Sequence, residues 1–248
     1  MKKAWFESWF NSPYYHILYQ HRDDREAELF IDHLYTYLKI TKDHTILDLA
    51  CGAGRHSIYM ASKGNRVMGI DLATNSIEEA KLKALEKGYS ESVQLQVEDM
   101  RHFELNTKFD FILNLFTSFG YFETKAENEA VLKCAKNHLN EIGILVIDYL
   151  NSQLVRANGE ERYTKTIAGL DFTIYKYFDK DFVIKEIEVN DQGKISKFRE
   201  QVQLFELEEI QTMLENIGFQ VTNHFGDYQL GEYKKNSPRS IVVARISV

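Results

Sequence analysis

Proline and cysteine are scarce in this chain, with 2 of each among 248 residues. So few prolines leave no Pro-rich linker between domains. The two thiols, Cys51 and Cys134, cannot build a disulfide framework, and a chain of this length buries enough core to need none. No apolar run reaches the roughly 18 to 20 residues that a membrane-spanning helix requires. Residues 1–10 carry two lysines, but Glu7 and then Asn11 break up the aromatics, so the apolar centre of a signal peptide is missing. An excess of positive charge is missing too. The formal net charge is −7, and an acidic chain repels phosphate backbones, so neither nucleic acid nor membrane is expected as a partner. These absences point to a cytoplasmic protein. What is present, 44% apolar and 27% charged residues, is ordinary for a globular fold. The length suits one large α/β domain with an elaboration, or two small domains.

Residues 14–40 place Ile17, Leu18, Leu29, Phe30, Leu34 and Leu38 at helical spacing, with RDDREAE at 22–28 as a solvated face. Strands and helices then alternate. Strands are expected at 45–50, 66–71, 93–97, 109–115 and 144–149, and helices at 56–63, 74–87 and 124–139. That alternation implies a parallel sheet with helices on both faces. Between about 160 and 205 four strand-like runs follow one another without helices. Turn formers at 179–181 and 190–193 separate them, as in an antiparallel meander. A helix at 207–217 with Gly218 as its C-cap and two strands at 219–225 and 239–246 complete the pattern.

The sharpest chemical signal is Asp48-Leu49-Ala50-Cys51-Gly52-Ala53-Gly54, between the first strand and a helix. Its glycines let the backbone turn tightly and approach a ligand. Dinucleotide enzymes share Gly-x-Gly after a strand, but two features point elsewhere. A nicotinamide fingerprint has a third Gly or Ala where this chain has Ser57. Asp48 would repel a pyrophosphate and tolerate a cation. Asp71 ends the second strand about 20 residues past the first glycine, a spacing at which a carboxylate accepts from both hydroxyls of a ribose. Its bland alternative is a helix N-cap, a task Thr74 could also perform. After the third strand comes Glu98-Asp99-Met100. Asp99 could accept from an adenine amino group, and Met100 offers a backbone N–H and soft packing.

Together these residues resemble the class I S-adenosylmethionine-dependent methyltransferases across roughly residues 40–150. The family motif acid-x-x-x-Gly-x-Gly falls on Asp48, Gly52 and Gly54, its ribose acid on Asp71 and its adenine acid on Asp99. Ala50, Leu72, Glu98 and Met100 flank these cofactor positions. The resemblance implies an α/β, Rossmann-like sheet of seven mostly parallel strands, the last antiparallel, with helices on both faces. It also implies S-adenosylmethionine as cofactor, S-adenosylhomocysteine as product, no metal, and in-line methyl transfer to nitrogen or oxygen of a small molecule.

A narrower likeness is carried by residues 114–121 (NLFTSFGY), which are similar to the fourth-strand motif of the sugar-amine N,N-dimethyltransferases and bring Leu115 and Phe116 to the cofactor. Those enzymes have a Tyr-rich amino-terminal helix, matched in kind by Tyr14, Tyr15, Tyr19 and Arg22, and a sheet inserted after the fifth strand. The likeness implies a helical lid at 1–40, a core at 41–155 and 206–248, and an inserted sheet at 156–205. In such a lid Arg22 pairs with the methionine carboxylate and a tyrosine ring faces the sulfonium. The insert either walls the pocket or pairs across a two-fold axis, and the likeness points to a homodimer. Some relatives carry a histidine base where this chain has Tyr121. Tyr121, Asp148 and Tyr149 are the catalytic candidates beyond the strand ends, with Asn151, His16 and His21 near the same cleft. The residues alone leave open a nicotinamide-dependent oxidoreductase and a non-catalytic S-adenosylmethionine-binding protein.

Overall fold

Strands β1 (Thr45–Leu49) and β4 (Phe109–Asn114) are apolar on both faces, and both lie in the interior of a seven-stranded sheet. The computed structural model describes residues 4–19 and 24–247. The sheet adds β2 (Arg66–Asp71), β3 (Val93–Val97), β5 (Leu139–Leu150), β10 (Phe219–Phe225) and β11 (Arg239–Ile246). Its order is β10-β11-β5-β4-β1-β2-β3. The strands from β5 to β3 are parallel, and β11 runs antiparallel to both its neighbours. Period-two alternation sends Ile46 to one face and Leu47 to the other. On the Ile46 face pack α3 (Asp24–Leu38), α4 (Arg55–Ser62) and α5 (Thr74–Glu86), through Phe30, Ile58 and Ala80 among others. On the Leu47 face pack α6 (Lys125–Asn137) and α8 (Leu207–Ile217), through Val131 and Met213. A capping box between Thr124 and Glu127 starts α6, and left-handed Gly218 ends α8 as the sequence implies.

The expected meander is a separate four-stranded antiparallel sheet of β6 (Glu161–Ile167), β7 (Leu170–Asp179), β8 (Phe182–Asp191) and β9 (Lys194–Gln203). One face buries Phe172, Ile174, Ile187 and Val189 against Trp9 and Leu18. Burial of side chains of this size contributes about 1.5–3 kcal/mol each. Trp9 and Leu18 belong to two short helices, α1 (Trp5–Trp9) and α2 (Pro13–Leu18).

The amino-terminal segment is therefore not one body. Residues α1 and α2 pack on the second sheet, whereas α3 belongs to the core layer of the first. Ser12 accepts from the Tyr14 N–H and Pro13 opens α2, a start signal inside what reads as continuous helical spacing. A further helix, α7 (Ser152–Ala157), is absent from the sequence reading. Asn151 caps it by accepting from the Gln153 N–H at 3.2 Å.

Candidate active site

The carboxyl ends of β1, β2 and β4 open into a cleft of about 600 Å³, roofed by α1, α2 and Tyr19. Ligands of α/β sheets bind at this end because the strand-to-helix turns aim backbone N–H groups there. The floor is the glycine bend. Ala50, Gly52 and Gly54 all have positive φ, at 65°, 55° and 76°. A Cβ added at Gly52 would touch nothing within 4 Å, so the backbone there is open to a ligand. At Gly54 a Cβ would come within 2.9 Å of the Ala80 Cβ, so this glycine lets α4 start hard against α5.

Two acids hold the bend in different ways. Asp71 lines the cleft and accepts from the Gly52 and Ala73 N–H groups, both at 2.8 Å. Burial raises its pKa, and hydrogen bonds from Ala73, Gly52 and Leu72 oppose that rise. Asp48 lies beneath the cleft rather than in it, 1% exposed, and accepts from the Ser57 hydroxyl at 2.6 Å. Burial pushes its pKa up to about 6 against the pull of that hydrogen bond. Ser57, read in the sequence only as a missing glycine, thus ties α4 to β1.

Leu72, Glu98, Asp99 and Met100 line the cleft beside Asp71. Asp99 receives Arg101 Nη2 at 2.6 Å, and Arg101 Nη1 reaches Glu127 at 2.7 Å while lying over the Phe122 ring. Burial raises the Asp99 pKa, but the Arg101 bonds and charge outweigh it and hold the carboxyl below its ordinary value. Leu115, Phe116 and Tyr121 complete the far wall. Tyr121 packs its ring against Trp5 and Phe10, at 5.3 and 5.4 Å between centroids.

Several expected site residues lie elsewhere. Tyr14 points away from the cleft and bonds Asp191 at 2.9 Å. Tyr19 does line it, with its hydroxyl on Glu200. Arg22 and His21 lie outside the described residues. Asp148 and Tyr149, expected beside the acceptor, are fully buried and do not line the cleft. Asp148 pairs with Arg239 at 2.7 Å, and the Tyr149 hydroxyl donates to the Gln203 carbonyl. Asn151 is committed to backbone carbonyls of Lys235 and Ser237. His16 lines the cleft, 3.6 Å from Glu79. Residues the sequence reading passed over include Phe6, Phe10, Arg55 and His56, all on the cleft wall. The aromatic run at residues 5–10 was the one visible signal for the first two.

A family model described as "Methyltransferase domain" matches residues 40–203. Cypemycin N-terminal methyltransferase from Streptomyces sp is 26% identical over 204 residues, 80% of this chain and 82% of that protein. The dTDP-3-amino-3,4,6-trideoxy-alpha-D-glucopyranose N,N-dimethyltransferase of Streptomyces venezuelae is 28% identical over 104 residues, 42% of this chain and 41% of that protein. Among solved structures, an S-adenosylmethionine-dependent methyltransferase from Clostridium acetobutylicum ATCC 824 superposes with a TM-score of 0.82 at 20% identity, covering 95% of this chain and 96% of that one.

The chain belongs to the methyltransferase-domain family, and within it resembles the sugar-amine enzymes. It is an S-adenosylmethionine-dependent methyltransferase, and the nicotinamide reading falls away. The residues present fit the cofactor: Gly52 offers uncovered backbone, Asp71 stands beside it, and the cleft has the volume of a small-molecule site.

Proposed function

We propose that this enzyme methylates the nitrogen of a small amine. The observation that carries the reading is the aromatic wall of the cleft, built by Phe6, Phe10, Tyr15, Phe116 and Tyr121. Ring faces attract cations, and methylating a neutral amine turns it into one. The relatives named for N-methylation of a peptide terminus and of an amino sugar support the same acceptor atom.

In this reading Asp71 accepts from the ribose hydroxyls, and Asp99 with the Met100 backbone receives the adenine. Gly52, its neighbours Ala50 and Leu72, and the flanking Glu98 and Leu115 shape the cradle, while Asp48 and Gly54 fix it from below. Tyr19 and Phe116 bound the sulfonium end, and Arg22 is assigned to the methionine carboxylate. Bound S-adenosylmethionine supplies a methyl group already activated by the positive sulfur. The protein's task is to align the amine lone pair with the carbon–sulfur bond and to exclude water. Tyr121 orients the amine. An uncharged amine attacks with its own lone pair and needs no strong base, so burial of Asp148 and Tyr149 is no obstacle.

The remaining assignments follow the same reading. Helices α1 and α2 with Tyr19 serve as lid, α3 joins 41–155 and 206–248 in the core, and 156–205 form the inserted sheet. The insert pairs two copies into a homodimer, supported by the exposed edge strand β6 and by exposed Tyr163 and Tyr175. The acidic charge disfavours nucleic acid and anionic membrane surfaces. Two unbridged thiols suit the reducing cytoplasm. The test is release of S-adenosylhomocysteine from S-adenosylmethionine with panels of small amines, phenols and carboxylates. Turnover with amines supports the proposal. Turnover with phenols or carboxylates alone overturns it.

A further inference from the structure

Phe116 and Thr117 are consecutive non-glycine residues in the left-handed region, with φ of 67° and 60°. L-residues with a Cβ are disfavoured there, and neither position has glycine to relieve it. Such a bend persists only where its surroundings over-determine it, and strain of this kind concentrates at functional sites. Here the surroundings are specific. The Phe116 N–H donates to Asp148 Oδ2 at 2.8 Å, and the Thr117 N–H to the Asp148 carbonyl at 2.9 Å. Arg239 Nη2 donates to the Thr117 hydroxyl at 2.7 Å, and its Nε to Asp148 Oδ1 at 2.7 Å. The Tyr228 hydroxyl donates to Asp148 Oδ2 at 3.1 Å, while its ring stacks on Phe30 at 4.4 Å. Asp148, at the centre of this network, is 0% exposed, and the groups around it are half-buried.

The product of all this is the placement of one ring. Phe116 lines the cleft between Leu115 and Ser118, with the Arg55 guanidinium 5.0 Å from its centroid on the side of the glycine bend. A stability role alone would be served by glycine at 116 or 117, which adopts this backbone freely. Resting on the reading of the cleft as a methyl-transfer site, we propose that Asp148, Tyr228 and Arg239 are positioning residues that hold a strained Phe116–Thr117 bend so that the Phe116 ring fixes the line of approach of the methyl acceptor. Asp148 thereby acts through Phe116 without touching substrate. Alignment is where such a contribution falls: it changes the rate of transfer and leaves cofactor affinity in place.

The test uses the full chain with Tyr228→Phe, Thr117→Gly and Thr117→Ser. Binding is read by calorimetry with S-adenosylhomocysteine, and turnover with the best amine of the panel above. Tyr228→Phe keeps the stacking on Phe30 and loses only the bond to Asp148. Thr117→Gly relaxes the backbone and loses the Arg239 contact, whereas Thr117→Ser keeps the hydroxyl. Expected is a kcat lowered about tenfold or more in Tyr228→Phe and Thr117→Gly, with the S-adenosylhomocysteine Kd within about twofold of the parent and near-parent kcat in Thr117→Ser. Glycine at 117 should leave Tm within about 3 °C of the parent, which separates alignment from loss of folding. Parental kcat in Tyr228→Phe and Thr117→Gly overturns the proposal, as does a kcat loss matched by an equal loss of S-adenosylhomocysteine affinity. Failure of the parent itself to bind S-adenosylhomocysteine overturns instead the reading on which the proposal rests.

Discussion

Replacing Asp71 by asparagine tests the cofactor cradle with almost no change in shape. The carboxylate now uses both oxygens, one for the Gly52 N–H and one for the Ala73 N–H, each at 2.8 Å. An amide has a single acceptor oxygen, so its NH2 group must confront one of those donors. The charge that would meet the ribose hydroxyls is also lost. Hydrogen bonds to a charged group contribute about 1.5–3 kcal/mol, so the Kd for S-adenosylhomocysteine should rise about 10- to 100-fold. Ligand at a thousand times its Kd stabilises a protein by about 4.1 kcal/mol, and at ten times by about 1.4 kcal/mol. For a chain of this size the ligand-induced rise in Tm should therefore shrink from about 8–16 °C to about 3–6 °C at the same ligand concentration. The ligand-free Asp71→Asn protein should melt near the parent, because removing a partly desolvated charge offsets the lost bond. Calorimetry gives the Kd and differential scanning fluorimetry the shifts. A Kd within about threefold of the parent would refute the reasoning.

Three further outcomes are expected. Asp48, with a folded pKa near 6 against 3.8 unfolded, binds more protons folded than unfolded between those values, so its ionisation costs stability as pH rises through the window. Asp48→Asn should thus be more stable than the parent at pH 7.5 by up to about 3 kcal/mol, with the gain gone below about pH 4, as urea titrations at the two pH values will report. His56 works in the opposite direction: burial, aided by Arg55, lowers its pKa to about 3 from 6.5, so the unfolded chain takes up a proton first as pH falls. At pH 5 this costs about 2 kcal/mol relative to pH 8, and His56→Gln should flatten that part of the stability profile. Tyr149→Phe removes a buried hydroxyl that donates to the Gln203 carbonyl and accepts the Phe205 N–H, so stability should fall by about 1–3 kcal/mol while kcat per folded molecule stays at the parental value.

Parts of the site held within one strand–turn–helix unit were legible from sequence. Asp48, Gly52 and Gly54 share such a unit, and Asp71 ends the next strand in the same register, so local periodicity places them all. Parts held by distant partners were not. Asp148 and Tyr149 could be placed at the end of β5, but not assigned to a face or partner. Their partners, Arg239 and Gln203, are 91 and 54 residues away. Glu200 is another case: it accepts from the Trp9 indole and the Tyr19 hydroxyl across 191 and 181 residues, and no pattern near it announces that role. Likewise, the break between α2 and α3 follows from which sheet each helix finds, which helical spacing alone does not encode.

The tie between Trp9, Tyr19 and Glu200 also dictates an order of events during synthesis. Trp9 and Tyr19 acquire this partner only after β9 has been made. Trp9 and Leu18 find apolar cover on β7 and β8, but the roof is not tied down until Glu200 of β9 arrives. A nascent chain stopped before β7 would display that greasy strip to chaperones or to other chains, so the roof is completed late although its own helices are translated long before their supports.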